Sequence, residues 1–74
     1  MTVSELMNLL RDMPQNHPVV IRGYERGVDD VALVEEVEVD LNANDEWYYG
    51  RHEIASNVDD KSVPAVYLSA AKKR

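Results

Sequence analysis

Val31-Ala32-Leu33-Val34-Glu35-Glu36-Val37-Glu38-Val39-Asp40-Leu41 is the longest run in the chain that reads as a β-strand. Val31, Leu33, Val37, Val39 and Leu41 share one parity; Glu36, Glu38 and Asp40 take the other. Successive side chains of a strand point to opposite faces, so the stretch predicts one apolar face and one lined with carboxylates. Glu35 falls on the apolar side, where a bulge would re-aim the chain and divide the strand into two pieces.

Working outward toward the N-terminus, Thr2-Val3-Ser4-Glu5 fits a capping box, in which the Thr2 hydroxyl and the Glu5 carboxylate satisfy the first free amides of a helix. Leu6, Leu9, Leu10 and Met13 recur at helical spacing and form an apolar face. Pro14 has no amide hydrogen and restrains Met13, which ends the predicted helix, Val3 to Met13. Gln15-Asn16-His17-Pro18 reads as a turn, and the β-branched run Val19-Val20-Ile21-Arg22 as a short strand. Gly23-Tyr24-Glu25-Arg26-Gly27 is a polar tip between two glycines, expected to supply positive φ for a hairpin connection. Asp29-Asp30 leads from it into the long strand.

On the C-terminal side, Asn42-Ala43-Asn44-Asp45-Glu46 is a polar turn and Trp47-Tyr48-Tyr49 begins a further extended segment. Alternation there puts Trp47 and Tyr49 on one face, with Trp47 expected in the core and Tyr48 facing out. Ile54 to Ser62 reads as loop, and Ala65-Val66-Tyr67-Leu68-Ser69 as a final strand. The sum is an α+β fold: one N-terminal helix packed on a small antiparallel sheet of three to four strands, the helix face and one sheet face forming the core. The expected organisation is a single domain, 1–74, with 70–74 as a loose basic tail.

The pattern Ser4-Glu5-Leu6, Leu9-Leu10, Met13-Pro14, then Pro18-Val19-Val20-Ile21, Gly23-Tyr24-Glu25, Gly27, Asp29-Asp30, then Glu46-Trp47-Tyr48-Tyr49-Gly50 and Val66-Tyr67-Leu68-Ser69 is similar to small acidic proteins of bacterial and phage or prophage genomes, a group without an assigned function. The resemblance spans nearly the whole chain and transfers no catalytic residue. It implies a setting in which short acidic accessory proteins act by binding host or phage proteins.

Seventy-four residues accommodate one small core, and a chain of this length is expected to be marginally stable. There is no cysteine, which excludes disulfides and thiolate metal sites and suits a reducing compartment. Apolar runs are a few residues long against the roughly 20 that a membrane-crossing helix requires, and Glu5 stands where a signal peptide is basic or apolar. A cytoplasmic protein without a membrane partner is therefore expected. The formal charge is −6, unevenly spread: between Asp29 and Asp60 there are eleven acidic residues and one basic residue, Arg51. Lys72, Lys73 and Arg74 offset part of this at the C-terminus. Such a field repels nucleic acid and anionic membranes and attracts basic protein surfaces, although acidity also serves solubility alone.

Two sets of side chains are candidates for contact with a protein partner. Tyr24, Glu25 and Arg26, with Asp29 and Asp30, form the densest polar cluster between two strands, and aromatic and arginine side chains carry much of the energy at interfaces. Glu36, Glu38 and Asp40 form the outward carboxylate row, with Tyr48 as an exposed ring nearby in sequence. A hairpin tip and a core-completing aromatic run are the structural alternatives. The glycines of the tip match neither a phosphate loop nor a dinucleotide fingerprint.

Chemistry is thinly represented. His52, Glu53, Asp59 and Asp60 are close in sequence, but no calcium-loop spacing is present and the chain has only two histidines for zinc. Asp59-Asp60-Lys61 has the look of one end of a nuclease site in a field of the wrong sign. None of Ser4, Ser56, Ser62 and Ser69 sits beside a base and an orienting acid. The sequence thus predicts no catalytic residue, no metal ligand and no cofactor. It predicts an accessory protein that binds a partner with a basic surface and does not bind nucleic acid directly. A nucleic-acid mimic is the first alternative, because outward side chains on a strand stand about 6.6 Å apart, close to phosphate spacing. A small metal-dependent domain is the second, and a homodimer that covers a sheet edge is compatible with any of these.

Overall fold

The computed structural model describes residues 1–70. Of the tail expected at 70–74, residues 71–74 lie outside them. In chain order the elements are α1 (Val3–Arg11), β1 (Val20–Arg22), β2 (Val28–Asp30), β3 (Leu33–Asp40), β4 (Glu53–Ile54) and β5 (Ser62–Ser69). The chain is α+β, with one short N-terminal helix and antiparallel strands in two sheets, β1-β2 and β4-β3-β5. The chain divides into two compact units, Met1–Leu33 with residues 68–70, and Val34–Tyr67.

In the first unit, α1 begins as its sequence dictates. The Glu5 amide donates to Thr2 Oγ1 at 3.1 Å, and the Thr2 amide donates to Glu5 Oε1 at 2.7 Å, which completes the capping box. The Thr2 backbone bond, helped by its hydroxyl and the N-terminal charge, holds the Glu5 carboxyl below its ordinary range. Asp12, not Met13, closes the helix, its amide bonded to the Leu10 carbonyl. Helices leave their last carbonyls without partners. Gln15 meets that demand: its Nε2 donates to the carbonyls of Leu10 (3.0 Å) and Met13 (2.7 Å) and more distantly to Arg11.

The second strand of the first unit was absent from the sequence reading. Val28–Asp30 pairs antiparallel with β1, in the register Val20↔Asp30, Ile21↔Asp29 and Arg22↔Val28. The tip Gly23–Gly27 closes through Gly23 N–H to Gly27 O (2.9 Å) and Gly27 N–H to Tyr24 O (3.0 Å). The glycines do not supply the positive φ. Glu25 does, at 58°, and no glycine of the described chain lies in that region. A Cβ at Gly23 would come within 2.7 Å of Asp29 Oδ2, the end of an exposed side chain that would have to swing aside.

The second unit is built on β3, central between β4 and β5. β3 runs as a single strand through Glu35, so the division into two pieces expected there does not occur. β5 starts at Ser62, upstream of the predicted Ala65, and contains Pro64. Proline cannot donate to a ladder, and its presence agrees with the edge position that β5 holds. Glu53–Ile54, read as a loop border in the sequence, is strand because Val39 and Asp40 pair with it.

The expected core is not assembled. Among the described residues no side chain is buried. Of the predicted helix face, Leu6 alone is half-covered, while Leu9, Leu10 and Met13 are exposed.

Candidate protein-binding face

β3 and β4 align Val39 with Ile54 and Asp40 with Glu53. Directly opposed residues of an antiparallel pair project to the same side, so Asp40 and Glu53 share a face with Glu38 and Glu36, two and four positions back along β3. The other face receives Val37, Val39 and Ile54. Parity along β3 therefore does sort carboxylates from apolar residues. Burial does not follow that sorting: Val37, Glu38, Val39 and Asp40 are all half-buried, whereas Leu33 to Glu36 are exposed.

The Ser62 hydroxyl lies 3.4 Å from Asp40 Oδ1 and 3.4 Å from Asp59 Oδ1. Its single proton serves one of them at a time. Asp59 also closes the turn into β5, accepting the amides of Lys61 (2.8 Å) and Ser62 (3.2 Å). That structural duty accounts for Asp59. Among the described residues, the side-chain hydrogen bonds that carboxylates accept come from amides and from the Ser62 hydroxyl, not from an arginine or lysine side chain. This unit, Val34–Tyr67, holds nine acidic residues against Arg51 and Lys61, so its net charge is negative.

The connection from β3 to β4 carries the aromatic residues. Asn42 takes φ of 54°, a conformation asparagine tolerates better than most residues, and donates its amide to His52 Nδ1 at 2.9 Å. Asn44 ties the loop across its waist, amide to the Arg51 carbonyl (3.1 Å) and side-chain Nδ2 to the Gly50 carbonyl (2.8 Å). Beyond that waist, the Tyr49 amide reaches the Glu46 carbonyl at 3.1 Å, making a turn where an extended segment was expected. Trp47 is 91% exposed, and Tyr48 and Tyr49 are exposed beside it. The core role expected of Trp47 is thus overturned. The turn chains the rings together instead: Trp47 and Tyr48 meet edge to face at 5.5 Å, and Tyr48 and Tyr49 are tilted at 4.9 Å.

The remaining predicted residues lie on the hairpin of the first unit. Tyr24 is 83% exposed at the tip, and Glu25, Arg26, Asp29 and Asp30 are exposed with it. A cleft of about 330 Å³ is bordered by Arg22, Glu25, Arg26 and Val28. Glu36, Glu38, Asp40 and Tyr48 belong to the second unit, and the hairpin set to the first.

The ladder places Glu53 beside the β3 carboxylates, and the turn places Trp47 outside; the sequence alone puts Glu53 only in a weak metal cluster and Trp47 in the core. Among the described residues no three histidine or acidic side chains converge as metal ligands, and no helix is long and apolar enough to cross a membrane. The fold and this face define a small α+β protein with an acidic sheet surface. Comparison with protein-family models, curated proteins and solved structures finds no match for the chain.

Proposed function

We propose that the chain is a small accessory protein that holds a partner with a basic surface against the carboxylate face Glu36, Glu38, Asp40 and Glu53. The observation that carries this reading is the opposition of Asp40 and Glu53 across the ladder. Like charges set directly opposite destabilise a sheet. A local rule broken with no arginine or lysine side chain hydrogen-bonded to either carboxylate among the described residues is the kind of site where function is expected. A basic surface laid on this face relieves the repulsion, so binding and folding reinforce one another. The bond involved is electrostatic, fast to form and weakened by salt. No catalysis, metal or cofactor enters the reading, and a cytoplasmic phage or prophage setting is part of it.

The test uses a basic protein recovered from the host lysate and purified. Asp40→Asn and Glu53→Gln together should weaken its binding while raising the melting temperature of the chain. Unchanged affinity in the double variant would remove the proposal. If duplex DNA competes for the same partner surface, the nucleic-acid mimic is the correct form of the reading.

Self-association is a second reading, favoured by a specific feature of α1. Val3, Leu6, Met7, Leu9 and Leu10 cover roughly 160° of the helix surface. Most of that stripe is exposed. A second copy supplies an apolar surface of the same kind.

A further inference from the structure

Resting on the acidic-face reading, we infer that the Trp47-Tyr48-Tyr49 turn is an arginine-reading element, which takes a guanidinium group of the basic protein partner onto its rings. Three features converge on this. The rings are consecutive, in mutual contact at 5.5 and 4.9 Å, and held by a loop that Asn44 fastens at 2.8 and 3.1 Å. Trp47 is 91% exposed, so its indole is open to a ligand, and a cation within about 6 Å of a ring centroid is attracted by the ring quadrupole. The charge around the loop fits a cation as well: Asp45 and Glu46 precede the rings, and the loop springs from Asp40 and returns at Glu53.

Arginine suits this surface better than lysine. Its planar guanidinium stacks on an aromatic face while its N–H groups remain free for carboxylates, whereas the lysine ammonium is a compact and strongly hydrated point charge. Exposed aromatic rings also stack on the bases of single-stranded nucleic acid. That partner brings a phosphate with every base into a field that repels it.

The experiment compares nona-arginine with nona-lysine, which carry equal charge, by calorimetry on the whole chain and by the fluorescence of Trp47, its only tryptophan. The expected result is that nona-arginine shifts the Trp47 emission and binds about two- to fivefold more tightly. Trp47→Ala should lower nona-arginine to the affinity of nona-lysine and leave nona-lysine unchanged, with Tyr48→Ala intermediate. Equal affinities for the two peptides, or a Trp47→Ala variant that keeps the preference, overturn the inference. Tighter binding of a single-stranded oligothymidine than of nona-arginine also overturns it. Asp40→Asn with Glu53→Gln should weaken both peptides alike; if it weakens neither, the acidic-face reading fails by itself while the ring preference is still measured.

Discussion

Asp40 of β3 and Glu53 of β4 stand in direct register across an antiparallel ladder, two carboxylates where a sheet ordinarily sets opposite charges or an apolar pair. Glu53 reaches this position only because β4 is strand for two residues, Glu53–Ile54. Repulsion between them opposes the pairing that creates the face.

Neutralising either carboxylate should therefore stabilise the chain. Asp40→Asn keeps an oxygen for the Ser62 hydroxyl, and Glu53→Gln keeps the length of the side chain. Each is expected to gain about 0.5 kcal/mol, or about 2–4 °C in melting temperature for a chain of this size. The double variant should gain less than the sum of the two, because the second substitution finds the repulsion already gone. Thermal melts in low salt check this, and the gain should shrink as salt is added. A loss of stability in Glu53→Gln would mean that the two groups do not face one another.

Glu25 tests the hairpin. An L-residue in the left-handed region costs roughly 1–2 kcal/mol, and glycine escapes that cost. Glu25→Gly should raise the urea midpoint, by about 1 kcal/mol in stability, with the slope of the transition unchanged. Glu25→Val should lower it, since a β-branched side chain fits this region least.

Acidification should loosen α1 through Glu5. The Thr2 amide bond, then its hydroxyl and the N-terminal charge, lower the carboxyl below the ordinary value of 4.5. A group depressed in the folded state contributes stability above its unfolded value and loses it as pH falls through the folded one. Helical circular dichroism should thus decline below the usual carboxylate range, and Glu5→Gln should flatten that decline. Thr2→Ala removes the hydroxyl half of the box, leaves the residue-2 amide bonded to Glu5 Oε1, and should cost about 1 kcal/mol at neutral pH.

What the sequence disclosed depended on how local each interaction is. The capping box lies within four residues, and the parity of Glu36, Glu38 and Asp40 within five, so both were legible. β4 was not, because two residues carry no periodicity: Glu53 and Ile54 are strand on account of Val39 and Asp40, across a twelve-residue connection. Pro64 disguised the start of β5, since proline argues against a strand until the strand is known to be an edge. Trp47 misled through size. A large ring is ordinarily sheltered, but here the Glu46-to-Tyr49 turn outweighs alternation and carries it outward. The carboxylate face was half legible: its β3 row follows from parity, and its fourth member required the ladder.

The apolar stripe of α1 leads to the last prediction. Isolated helices shorter than about 12–15 residues are marginal in water, and α1 has nine. Its caps offset part of that deficit and its packing little, since Met7, Leu9 and Leu10 are exposed. Burying a leucine or methionine side chain contributes about 1.5–3 kcal/mol, so a surface laid over Met7 and Leu10 would outweigh both caps. If that surface is a second copy, sedimentation should show mass and melting temperature rising together with concentration. Leu10→Asp should then return the chain to monomer, with the pH response of Glu5 enhanced because the caps are left to hold the helix alone. A mass of one chain at every concentration, with Leu10→Asp melting as the parent does, would show that no second copy covers the stripe.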